Sequence, residues 1–99
     1  MDNQDFAVFT KVNELAERRG LKPYDFVAEF HREKDTVEDS YHLAFTIPAS
    51  GNALREERFD KMLKDLGLPK DSLRLVGTTA QIIDALDNAI SISPRSRVS

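Results

Sequence analysis

Cysteine is absent from the 99-residue chain. That removes any disulfide framework, thiol nucleophile or thiolate metal site, and it is compatible with a reducing, cytoplasmic location. Long apolar runs are missing as well. Nothing approaches the roughly 20 apolar residues that span a bilayer, and the opening Met1-Asp2-Asn3-Gln4-Asp5 is acidic where a signal peptide would be basic. No membrane association is expected. Positive charge is not in excess: 14 Lys and Arg stand against 17 Asp and Glu, for a net charge of −3. The usual electrostatic footprint of a nucleic-acid binder is therefore lacking. Gly-rich phosphate loops, a nucleophile elbow and a His-Glu-x-x-His pair are also missing. The expectation is a non-enzymatic protein without metal or cofactor.

What is present describes an ordinary globular domain, with 40% apolar and 31% charged residues. Residues 1–92 read as a single α+β domain and residues 93–99 as a mobile C-terminal tail, because no core pattern continues after Ile92. Twice an amphipathic run stops on the same punctuation, Arg19-Gly20-Leu21-Lys22-Pro23 and Leu66-Gly67-Leu68-Pro69. Glycine takes the left-handed conformation just past a helix, the leucine folds back on the last turn, and proline forbids continuation.

The periodicity between these stops orders the elements. Phe6, Phe9, Val12, Leu15 and Ala16, with Val8 on the flank, predict a first helix over 5–19. From Tyr24 the period changes to two. Tyr24, Phe26, Ala28 and Phe30 share one face of a first strand, and Tyr41, Leu43, Phe45 and Ile47 one face of a second. The polar stretch Glu33 to Ser40 forms the hairpin tip between them. Asn52 caps a second helix over 53–66 that buries Phe59, Met62, Leu63 and Leu66, with Glu57→Lys61 and Asp60→Lys64 pairs outside. Ser72 to Val76 is a short third strand. Thr78 and Gln81 have capping-box spacing for a third helix, to about Ile90, that buries Ile83, Leu86 and Ile90 beside Ile82 and Ala89. The expected core is Phe6, Phe9, Val12, Phe26, Phe30, Leu43, Phe45, Phe59, Leu63, Leu75, Ile83 and Leu86.

The expected fold is a two-layer αββαβα domain: a three-stranded sheet, made of a hairpin plus one crossover strand, with three helices on one face. A right-handed crossover through helix two leaves strand three parallel beside strand two or antiparallel beside strand one. The second arrangement, a split β-α-β with strand one central, is the expectation.

Putting every large apolar residue of the hairpin on one side pairs Phe30 with Leu43 and Ala28 with Phe45. The same register sets His31 opposite His42, about 5 Å apart, flanked by Glu29 and Glu33. Two imidazoles and a carboxylate make half of a zinc site or a tuned base; an exposed strand face with polar side chains is the plainer explanation. In the tip, Glu33, Asp35, Glu38 and Asp39 lack the oxygen spacing and central glycine of an EF-hand loop. Arg55, Arg58, Lys61 and Lys64 are interleaved with Glu56, Glu57, Asp60 and Asp65, which reads as a salt-bridged surface rather than a phosphate track.

The helix ending in Glu17-Arg18-Arg19-Gly20-Leu21, followed by two strands, resembles the first half of a double-stranded-RNA-binding domain over residues 12 to 47. The resemblance implies RNA binding. The chain departs from that family in lacking a third strand before helix two and a lysine cluster at that helix's start.

Helices on one face leave the other uncovered. Val27, Glu29, His31, His42, Ala44 and Arg74 are therefore the expected binding surface, a mixed face with sheet edges beside it. The function expected is contact with a protein partner or with a second copy, as an accessory or regulatory module. Small-molecule or metal-responsive binding on the same face is the alternative, and RNA binding the third.

Overall fold

The computed structural model describes residues 3–33, 40–49, 51–68 and 72–92. The elements run α1 (Asn3–Arg18), a 3-10 turn (Pro23–Asp25), β1 (Val27–Arg32), β2 (Tyr41–Thr46), α2 (Ala53–Asp65), β3 (Arg74–Gly77) and α3 (Thr79–Ser91). They form an α+β domain with three helices and a three-stranded antiparallel open sheet. The expected tail and most of the hairpin tip lie outside the described residues.

The glycine and leucine of both helix stops are built as their sequences predict, and Pro69 lies outside the described residues. At the end of α1, Gly20 has φ of 78°. Its N–H donates to the Glu17 carbonyl and the Leu21 N–H to that of Ala16. At the end of α2, Gly67 has φ of 81° and the same pair of bonds runs from Gly67 to Lys64 and from Leu68 to Leu63. This is the Schellman arrangement, which uses carbonyls the helix cannot satisfy itself. At the other ends, Asn52 Oδ1 accepts from the Arg55 N–H, and Thr78 and Gln81 exchange the two bonds of a capping box.

The hairpin register is the one expected: Ala28 faces Phe45, Phe30 faces Leu43 and His31 faces His42. Leu43 and Phe45 are fully buried. The core joins them to Val8, Val12, Leu15 and Ala16 of α1, to Phe59, Met62 and Leu63 of α2, and to Ile82, Leu86 and Ala89 of α3. Phe26 tilts against both Phe45 and Phe59, with ring centroids 6.4 Å apart in each case.

Several expectations are corrected. The third strand lies beside β2, antiparallel, with Leu43 facing Leu75 and Ala44 facing Arg74, so β2 and not β1 is central. The Phe45 N–H donates to the Leu73 carbonyl, so the chain re-enters the sheet at the end where β2 leaves it. The helix between them stays at that end, where Arg55 pairs with Asp25 and Asp65 with Arg19. It does not run back along the sheet, and no parallel crossover forms between the described strands.

Phe6 is 66% exposed and Phe9 only half-buried, because the buried stripe of α1 runs through Val8, Val12, Leu15 and Ala16. β1 begins at Val27 and not at Tyr24. The Lys22 N–H donates to Asp25 Oδ2, closing a 3-10 turn that leaves Tyr24 in solvent. In α3 the buried line is Ile82, Leu86 and Ala89, while Ile83 and Ile90 are only half-buried. Among the described residues, the pairs Glu57–Lys61 and Asp60–Lys64 do not form; Lys61 bonds Asp65 instead.

Candidate functional site

Strand alternation sends Leu43, Phe45 and Leu75 inward and the residues between them outward. Across the outward face the pairings make two complete rows: Glu29, Ala44 and Arg74, then His31, His42 and Val76. Val27 and Val76 are 48% and 54% exposed, large apolar side chains left in water. Glu29, His31 and Arg74 are exposed as well, and Ala44 and His42 are half-buried. All six residues expected from the sequence thus lie on one face of the sheet, and no described residue covers them completely.

Polar contacts organise its centre. Arg74 Nη2 donates to Glu33 Oε1. The same carboxylate oxygen stands 3.3 Å from His42 Nδ1, without the alignment of a hydrogen bond. The rings of His31 and His42 are 5.4 Å apart and tilted by 50°, while His31 Nε2 is 3.8 Å from Glu29 Oε1. The sequence pattern anticipates the histidine pair and its flanking acids. It does not reveal the Arg74–Glu33 bond, which arises because β3 lies beside β2. Among the described residues no group of three or more His, Cys, Asp or Glu is placed to hold a metal ion.

A second cluster lies where the helices end. Arg19 follows the last residue of α1 and is only 5% exposed. Its Nε donates to Asp65 Oδ2 at 2.7 Å, and its Nη2 to the carbonyls of Ala89 at 2.7 Å and Ile92 at 3.0 Å. One guanidinium thus holds the C-terminal ends of all three helices, where its charge also meets the negative end of the α3 dipole. Nη1 of the same group is buried with no hydrogen-bond acceptor. Arg18, Arg19, Gly20, Glu57, Arg58 and Lys61 line an open cavity of about 480 Å³ beside it. In the sequence Arg58 and Lys61 read as part of a salt-bridged surface, and nothing local says that Arg19 turns inward.

No helix among the described residues is long and apolar enough to cross a membrane. Compared with protein-family models, curated proteins and solved structures, the chain matches none.

Proposed function

We propose that this domain acts through protein contacts made by the open face of its sheet, and that a second copy of the chain is the occupant. The observation that supports this most is the row Glu29, Ala44, Arg74. It carries an acid on one outer strand, a base on the other and a small side chain on the central one. A twofold axis running along β2 above the face lays the Glu29 of each copy over the Arg74 of the other, with the two Ala44 residues meeting at the centre. That is the self-complementarity an isologous contact needs. In the neighbouring row, Val76 falls over His31, so an exposed apolar side chain is covered at the same time. Catalysis has no part in this role.

Charge exchange tests it. Glu29→Arg alone and Arg74→Glu alone each place like charges opposite one another and should weaken self-association measured by sedimentation. The double exchange restores opposite charges at both positions and should recover it. A wild-type chain that stays monomeric up to millimolar concentration contradicts a contact between copies. Self-association that the single variants leave unchanged places the contact elsewhere.

A further inference from the structure

We propose that His31 and His42 form half of a zinc site on the open face of the sheet, and that the same pair in a second copy of the chain completes it. The chelate stands on one chain alone; its completion rests on the contact between copies proposed above. Directly opposed on β1 and β2, the two histidines hold their ring centroids 5.4 Å apart, tilted by 50°. Two imidazoles on one tetrahedral ion, at a Zn–N distance of about 2.0–2.1 Å, stand with their centroids about 5 Å apart. The hairpin register thus presets the spacing that a shared ion needs. Imidazole ligands select zinc and its neighbours in the transition series, whereas calcium and magnesium take oxygen ligands.

The second observation is the carboxylate behind His42. Glu33 Oε1 stands 3.3 Å from Nδ1, a buried nitrogen that makes no hydrogen bond. A carboxylate beside one ring nitrogen keeps the proton there and leaves the lone pair on the other, which is how ligating histidines are oriented in zinc sites. Nε2 of His42 is then the ligand. Glu33 is held in turn by Arg74, and that bond offsets the arginine's repulsion of a cation. Glu29 Oε1, 3.8 Å from His31 Nε2, adds negative charge beside the exposed His31 ring. One chain supplies two ligands, and a structural zinc takes four. The twofold axis along β2 brings the His42 of each copy together with a His31 at its side, because both belong to one row across the strands. The ion then lies on the axis.

The test is a titration of the intact chain with zinc ion, following the imidazole ring protons by NMR and the mass by sedimentation. Saturable changes at both rings are expected, complete at one ion per two chains and with a matching gain in dimer. Magnesium ion at the same concentrations should leave both rings unmoved. Loss of even an outer-shell partner of a ligating histidine weakens metal binding by about 10–100-fold, so His42→Gln should weaken zinc binding at least that much. His31→Gln should do the same, and it carries little risk to the fold because His31 is exposed. Self-association in chelator that responds to the Glu29 and Arg74 exchange, with rings that zinc leaves unmoved, keeps the contact and overturns the zinc site. Saturation at one ion per chain with no gain in mass overturns its completion by a second copy. Zinc binding that is unchanged in both histidine variants places the ion elsewhere and overturns the site.

Discussion

Phe45 has no solvent exposure and lies against the Phe26 ring. Phe45→Ala should therefore cost about 3–5 kcal/mol, as truncation of a buried phenylalanine does, and urea unfolding measures it. Phe6, also an apolar residue on α1, is two-thirds exposed, and Phe6→Ala should stay within about 0.5 kcal/mol of wild type. Asp65 is the acid that faces the buried Arg19. Asp65→Ala leaves that guanidinium buried without a counter-charge, and breaking such a pair costs about 3–5 kcal/mol. Lys11 titrates differently from an ordinary lysine: its hydrogen bond to Asp87, with the attraction of that carboxylate, raises its pKa above 10.5. A raised lysine value means that the contribution is fully present below the unfolded pKa and is lost as pH rises through the folded one. Stability from this pair should thus hold across neutral pH and disappear only in strong alkali. A Lys11 titration followed by NMR should return to the ordinary range in Asp87→Asn.

Among the elements, the two helix stops separate backbone strain from crowding. Gly67 has positive φ and open space where a methyl group would project, so Gly67→Ala should cost only the left-handed penalty, about 1–2 kcal/mol. Gly20 has the same backbone, but a methyl there meets Arg58, so Gly20→Ala should cost more; paired melting curves give the order. These stops, the caps at Asn52 and Thr78, and the hairpin register were legible in sequence because each depends on residues a few positions apart or on one alternating pattern. The start of β1 was not, since Tyr24 and Phe26 fit an alternating strand until the Lys22–Asp25 bond turns the chain. The stripe of α3 was legible only to within one residue. Ile82-Ile83 and Ala89-Ile90 offer adjacent apolar side chains, and packing against α1 and the sheet decides which of each pair goes in. The direction of β3 left no mark at all, because Leu73, Arg74, Leu75 and Val76 alternate identically whichever way the strand runs.

For the whole molecule, that strand direction sets what the open face displays. Antiparallel β3 beside β2 puts Arg74 in the row of Glu29 and Ala44, and Val76 in the row of the two histidines. The sequence identifies these residues as outward-facing without saying which of them are neighbours. The Arg19 node was hidden for a similar reason, since it joins the end of α1 to two other helix ends that lie 46 and 70 residues along the chain from its own position. Everything proposed for the sheet requires that its open face makes a contact and is not part of the core. The decisive experiment sets the melting curve of the double variant Val27→Glu, Ala44→Glu beside its mass in solution. Glutamate at the exposed Val27 should cost the fold about 0.5–1 kcal/mol and at the half-buried Ala44 somewhat more, while burying those charges in a contact is far more expensive. A folded double variant that has lost self-association is the expected result. A folded double variant that associates as wild type does would contradict a contact on this face.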